Sequence, residues 1–243
     1  MKRQVANIVI LLVITAASVL LAGCPPEKLV STSDEVSIGR QSAAEVEAQY
    51  PVSRDPRLNQ LVNTIGQNIL RQTTPRKGIT YTFKVLDISE INAFSLPGGW
   101  IYVDRGLIDS TGGNVNELAG VIAHEIGHVQ ARHHAELMGR STLYGIAIGT
   151  LTRGNTAQWV SFFANLNLLR WSRSQEYEAD KLAIDYTLNS PYNPEGLIDF
   201  FRVLEAKAGR GSTPAFLSTH PLTEDRIERA QAYLNEKRIQ MGR

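Results

Sequence analysis

The stretch VIAHEIGHVQARHH, residues 121–134, contains four histidines and a glutamate at a spacing that can bind and activate a metal ion. His124 and His128 are four residues apart, so a helix would place both imidazoles on one face, one turn apart. Glu125 lies next to His124, where its carboxylate can reach a metal-bound water without binding the metal itself. The neighbouring residues are mostly apolar, which indicates a buried helix. The pattern predicts the general-base geometry of HExxH zinc hydrolases.

The third metal ligand has two candidate sources. His134 stands ten residues after His124, as in HExxHxxGxxH metalloproteases, but Ala131 occupies the position where that pattern has a glycine for a sharp turn. If the helix continued without a break, His134 would be rotated by about 80° from His124 and lie roughly 15 Å further along. We therefore expect His133 and His134 at the surface or behind the site rather than on the metal.

The other source is a carboxylate in the segment SRSQEYEADKLAIDY, residues 172–186. Glu176 and Asp180 are one helical turn apart on one face, whereas Glu178 points to the opposite side. Glu176 can complete a site of two histidines and one glutamate, and Asp180 can accept a hydrogen bond from the outer nitrogen of a ligand histidine. Three protein ligands leave a fourth position open, as in catalytic zinc sites. The sequence therefore predicts one Zn²⁺ per chain.

Four segments together resemble the M48 family of zinc metalloendopeptidases, specifically its exported bacterial members in outer-membrane protein quality control. They are HEIGH, EYEAD, NAFSLPGGWIYVDRGLID and STHPLTEDRI, between about residues 35 and 236. The resemblance implies a gluzincin-like domain with an active-site helix, a glutamate helix that supplies Glu176 with Asp180 behind it, and a sheet whose edge strand binds substrate backbone. Asn92, Ala93 and Phe94 are similar to that edge strand. An ordinary strand that ends in a turn is the alternative.

His220, in STHPL, is placed at the active site by the same resemblance. Two functional hypotheses follow: it donates to the developing oxyanion in the transition state, or it is a displaceable fourth ligand that keeps the enzyme latent. A neighbour of a helix N-cap is the structural alternative. Arg226, one turn further, either pairs with a carboxylate of the site or lies in solvent.

The first 24 residues have the features of a bacterial export signal. Met1-Lys2-Arg3 is positive, the following run is apolar, and Leu21-Ala22-Gly23-Cys24 resembles a lipobox. We expect a signal peptide at 1–23, a lipid on Cys24 and a peptidase domain at 24–243. A transmembrane anchor, or a cleaved signal with an incidental cysteine, is the alternative. The lone cysteine excludes an internal disulfide, and the residue after it is not the aspartate that commonly signals inner-membrane retention, which favours the outer membrane, facing the periplasm.

The composition fits one compact domain without nucleic-acid binding. The 243 residues are 43% hydrophobic and 20% charged, and the net charge of +1 comes without a dense basic tract. Hydrophobic periodicity predicts an α+β fold, mostly helical with a small antiparallel sheet. The sequence predicts strands at 80–88 and around Pro97-Gly98-Gly99, and helices that begin near residues 33 and 56 and then span 114–138, 156–186, 194–208 and 222–237.

The predicted activity is hydrolysis of peptide bonds in misfolded or unassembled envelope polypeptides, with Glu125 as general base. The alternative is a periplasmic chaperone or assembly factor for outer-membrane proteins with a latent zinc site. A binding protein has no need for a general base, so the intact Glu125 favours the enzyme.

Overall fold

The computed structural model describes residues 25–147, 156–165, 169–209, 213–222 and 225–242. A 3-10 turn, Pro26–Leu29, opens this part of the chain. In these ranges the helices are α1 (Thr32–Gln49), α2 (Pro56–Leu70), α3 (Arg105–Ser110), α4 (Val115–Gln130), α5 (His133–Ala147), α6 (Thr156–Ala164), α7 (Arg173–Leu188), α8 (Gly196–Ala208), α9 (Phe216–Thr219) and α10 (Arg226–Gln240). The strands are β1 (Thr82–Leu86), β2 (Ala93–Leu96) and β3 (Trp100–Asp104). None of the helices in the described ranges is long and apolar enough to cross a membrane.

The predicted fold class is confirmed, but the sheet is mixed rather than wholly antiparallel. Its strand order is β1-β3-β2. The turn at Gly98 and Gly99, both with positive φ, joins β2 to β3 as an antiparallel hairpin. That hairpin places β3 in the centre, and β1 pairs with its other side in parallel. Alternation along the sequence identifies a strand but not the direction of its partner, which explains the error.

Helix α4 forms the centre of the domain. Asn114 caps its first turn by accepting a hydrogen bond from the backbone N–H of Asn116, and the side chains from Glu117 to Val129 are buried. Two glycines allow neighbouring helices to approach closely. A Cβ at Gly120 would lie 2.3 Å from the backbone nitrogen of Leu197 on α8, and a Cβ at Gly127 would lie 3.1 Å from the carbonyl oxygen of Ala179 on α7.

The prediction of one continuous helix over 114–138 is wrong, because the chain breaks between α4 and α5. Arg132 adopts a left-handed conformation with φ of 62°, which is unusual for a residue with a side chain. Its guanidinium bonds to the buried carboxylate of Glu35 and to the carbonyl of Val30. Arg76 also binds Glu35 and donates to the carbonyl of Val129 at the end of α4. This ion-pair cluster, with the buried Glu35 between two partly buried arginines, stabilises the break.

Other helix boundaries also differ from the sequence prediction. The stretch 156–186 forms two helices rather than one, and α7 begins after Ser172, which forms a capping box with Gln175. The last helix begins at Arg226 rather than at residue 222. Asp55 caps α2 immediately before Pro56, as its position in the sequence indicates. The capping box fixes the start of α7, with Ser172 four residues before Glu176.

Asp104, at the end of β3, is a buried carboxyl whose Oδ1 atom accepts no hydrogen bond from the described residues. Asp104 is only 1% exposed. Burial, together with the charge of Glu90, raises the pKa of Asp104 to about 8.

We expect Asp104→Asn to remove a pH-dependent loss of stability. An unfolded chain releases this proton near its ordinary pKa of 3.8, whereas the folded chain keeps it up to about 8. Between these values the free energy of unfolding of the native chain falls by up to about 1.4 kcal/mol per pH unit. Urea unfolding of both chains is measured at several pH values in this window. The free energy of unfolding of the variant should increase relative to that of the native chain as pH rises. Parallel pH dependences would contradict this assignment.

Candidate metal centre

The site is assembled from α4, α7, the residue after α9 and the start of α10. Helix α4 carries His124, Glu125 and His128, one turn or less apart. Helix α7 contributes Glu176 and Asp180, and it packs on the face of α4 that Gly127 keeps free of side chain. All of these side chains are buried.

Four side chains bring nitrogen and oxygen donors together: His124, His128, Glu176 and His220 have one donor atom each within 4.8 Å of all the others. The Nε2 atoms of His124 and His128 are 3.0 Å apart. Nδ1 of His220 lies 3.2 Å from Nε2 of His124 and 3.0 Å from Oε1 of Glu176. A tetrahedral zinc with bonds of about 2.0–2.1 Å has donors about 3.3 Å apart. The donor set therefore fits zinc in type and in spacing.

The surroundings of the two ligand histidines on α4 suit metal binding. Nδ1 of His124 lies 2.9 Å from Oδ1 of Asp180, so this nitrogen carries the proton and Nε2 keeps its lone pair. Burial lowers the pKa of His128 well below its ordinary value, which keeps that imidazole neutral. Burial alone would raise the pKa of Glu176, but the nearby charges of Arg226 and His220 lower it well below its usual range.

Arg226 is a buried cation behind the donors. Its guanidinium donates from Nε and Nη2 to the two oxygens of Asp180, at 2.7 and 2.8 Å, and Nη1 lies 2.5 Å from Oε2 of Glu176. The ring of Phe201 covers it, 4.5 Å from the guanidinium carbon. Of the two placements open from the sequence, the structure shows the pairing with site carboxylates, and one cation orients two of them.

Glu125 lies beside the donor set without belonging to it. Its Oε2 accepts a hydrogen bond of 2.9 Å from Oγ of Ser95, on β2. Its Oε1 accepts no hydrogen bond from the part of the chain that the structure describes, and lies 3.3 Å from Nε2 of His220. Burial raises the pKa of Glu125. Sequence reasoning missed Ser95, although one hydroxyl in the apolar strand AFSL is a signal that could have identified it.

His133 and His134 are buried, so of the two placements expected from the sequence, at the surface or behind the site, the structure shows the second; the break before α5 turns both of them inward. Neither belongs to the donor set. Nδ1 of His133 is 2.8 Å from Nδ1 of His128, and Nε2 of His134 donates to the carbonyl of Ser95 at 2.9 Å. Both histidines therefore lie behind the site, and the third donor is the carboxylate of Glu176.

The residues predicted to bind substrate begin the outer strand of the sheet. Asn92 precedes β2, and Ala93 and Phe94 are its first two residues. All three are buried, and Phe94 stacks on Tyr102 of β3 with ring centroids 5.2 Å apart. Their role stays a prediction. Cys24 lies outside the described residues.

Comparison with known proteins settles the family. The model of Peptidase family M48 matches residues 53–234 of the chain. The chain belongs to peptidase family M48. The resemblance seen in the sequence is confirmed at this level, and the M48 assignment with the donor set confirms the predicted zinc site.

Three relatives illustrate the range of this similarity. The Beta-barrel assembly-enhancing protease of Yersinia pestis is 28% identical in an alignment of 222 positions that covers 85% of this chain and 45% of that protein. Metalloprotease YcaL of Escherichia coli (strain K12) is 26% identical in an alignment of 254 positions that covers 91% of this chain and 95% of that protein. Mitochondrial metalloendopeptidase OMA1 of Schizosaccharomyces pombe is 32% identical over 152 residues, 61% of this chain and 45% of that protein. The chain spans less than half the length of the first of these relatives.

Proposed function

We propose that the chain is a zinc-dependent endopeptidase in which Glu125 is the general base. The observation that carries this proposal is the position of Glu125, which is buried beside the donors, oriented through Oε2 by Ser95, and whose Oε1 accepts no hydrogen bond from the described residues. A structural zinc site needs no such carboxylate, because its four ligands alone satisfy the metal. The same argument disfavours a chaperone with a vestigial zinc site.

The proposed mechanism assigns proton transfer to Glu125. When bound, zinc lowers the pKa of a water towards about 7 and polarises the scissile carbonyl. Glu125 takes the proton of the attacking water at Oε1 and returns it to the leaving amine. The raised pKa of Glu125, caused by burial, suits a group that must both accept and release a proton. Ser95 holds Oε2, so Oε1 faces the reacting atoms.

We further propose that the described arrangement is latent, with His220 as the fourth ligand. Its Nδ1 lies at 3.0–3.2 Å from donor atoms of Glu176 and His124, a spacing suited to ligands of one metal ion. Phe216 stacks on its ring with centroids 4.3 Å apart and helps to enclose the site. A substrate carbonyl can approach only if this imidazole moves away.

Substrate backbone is proposed to add to the outer edge of β2, the side that does not pair with β3. The carbonyl of Asn92 accepts from the N–H of Asp104 on β3, so the alternate residues Ala93 and Ser95 direct their backbone groups away from β3. The carbonyl of Ser95 is taken by His134. Ala93 thus directs its N–H and C=O away from β3, but the residue is fully buried, so an extended peptide pairs with them only if the residues that cover Ala93 move.

The proposed substrates are misfolded or unassembled polypeptides of the bacterial envelope. Support comes from the relatives named as Beta-barrel assembly-enhancing protease and from the export-signal pattern. We propose the domain boundaries of the sequence analysis, with the signal at 1–23 and the peptidase at 24–243. The lipid on Cys24 would anchor the protein at the outer membrane, facing the periplasm.

Glu125→Gln should leave zinc bound at one ion per chain and remove turnover. An amide of the same shape cannot take up the proton, and general-base catalysis contributes roughly 10²–10⁴-fold. Casein hydrolysis by the purified chain, with and without chelator, measures the loss. Glu117→Gln is the matched control on the same helix, because Glu117 bonds to Asn114 outside the site. Full hydrolysis by the Glu125 variant would exclude the mechanism.

His220→Ala should increase casein hydrolysis several-fold, because the variant frees the fourth position for water and substrate. Zinc content is measured alongside, and Ser218→Ala is the control, because Ser218 is an exposed residue two positions before His220. Loss of hydrolysis with zinc retained would instead assign His220 to transition-state stabilisation. Unchanged hydrolysis would show that His220 acts neither as a latency ligand nor in transition-state stabilisation.

A further inference from the structure

We propose that His133 is a positioning residue for the metal site: its Nδ1 accepts the Nδ1–H of His128 and thereby fixes the tautomer in which Nε2 of His128 binds zinc. The inference depends on the zinc site and not on the proposed peptidase activity. It gives a role to a buried histidine that contacts neither the metal position nor Glu125 in the described structure.

The contact between the two rings determines which nitrogen carries each proton. Their Nδ1 atoms are 2.8 Å apart, and both side chains are buried. Two imidazole nitrogens form a hydrogen bond only when one is protonated and the other is not. Nε2 of His128 faces Nε2 of His124 at 3.0 Å and Oε1 of Glu176 at 3.3 Å, so this nitrogen must keep its lone pair to bind the metal. Nδ1 of His128 is therefore the donor, and Nδ1 of His133 is the acceptor.

The remaining nitrogen of His133 completes a consistent set of protons. With Nδ1 as acceptor, the neutral ring carries its proton on Nε2, which lies 3.4 Å from Oε2 of Glu178. Glu178 is largely exposed, with 61% of its side chain accessible, so this outer contact is weaker than the buried one. The hydrogen bonds run outward from the metal ligand through His133 to a surface carboxylate.

The two ligand histidines on α4 have different outer partners, and charge explains the difference. Asp180 holds His124, and the negative charge of Asp180 is neutralised by Arg226. Among the described residues, no buried lysine or second buried arginine is available near His128. Another unpaired carboxylate there would be costly in a buried site. A neutral imidazole orients His128 without adding charge.

The break between α4 and α5 places His133 for this contact. On a continuous helix, a residue five positions after His128 would point about 140° away from it. The left-handed Arg132, held by Glu35, instead returns His133 to the outer side of His128. Trp171 stacks on the ring of His128, with centroids 4.6 Å apart at 22°, and limits its rotation.

The test compares His133→Leu, which removes the acceptor, with His133→Asn, whose amide oxygen can replace Nδ1. Zinc affinity of the purified full chain is measured by competition with a chromogenic chelator, without any substrate. We expect the leucine variant to bind zinc about 10–100-fold more weakly, as for other outer partners of metal ligands, and the asparagine variant to lie much closer to the native chain. Equal affinity of the leucine variant and the native chain would overturn the proposal.

A spectroscopic measurement on the native chain decides the same question if the leucine variant does not fold. Long-range ¹H–¹⁵N correlation of the imidazoles in the zinc-loaded protein reports which nitrogen carries each proton. We expect a protonated Nδ1 on His128 and an unprotonated Nδ1 on His133. The reverse assignment at His133 would overturn the proposal. Neither measurement uses hydrolysis, so failure of the peptidase activity and failure of this inference are distinguishable.

Discussion

Buried charge at the metal centre is the constraint on which the rest of the structure depends. Glu125, Glu176 and Asp180 are all taken out of water, and Arg226 is the one buried lysine or arginine among the described residues. Burying a carboxylate without compensation costs several kcal/mol or forces it to take up a proton. The guanidinium balances one of the three negative charges, and a divalent cation balances the other two. The metal therefore belongs to the charge balance of the domain as much as to its chemistry.

The packing around α4 follows from this constraint. The donors can meet only if α7 approaches α4 closely, and Gly127 permits that approach. The two ligand histidines on α4 are then oriented by groups suited to the local charge. Asp180, paired with Arg226, orients His124, and the neutral His133 orients His128. Orientation by fixed partners keeps the lone pairs directed at one point, which lowers the cost of binding the metal.

The sequence predicted those parts of the site that depend on local spacing. The four-residue separation of His124 and His128 and that of Glu176 and Asp180 identify shared helix faces, whatever the rest of the chain does. The place of His220 came from family resemblance rather than from spacing. The break at Arg132 could not be predicted locally, because it is stabilised by Glu35, 97 residues away in the chain. The choice between the surface and a place behind the site for His133 stayed open, and the expectation of a wholly antiparallel sheet was wrong, for the same reason: long-range contacts decide both.

The central claim is that three imidazoles and one carboxylate bind a single zinc ion in the buried site. X-ray absorption at the zinc edge of the purified, zinc-loaded protein tests this most directly, because imidazole rings give a distinctive outer-shell signal. The account predicts four nitrogen or oxygen ligands at about 2.0–2.1 Å, three of them imidazoles. A six-coordinate, oxygen-rich shell, or one with fewer than three imidazoles, would contradict it.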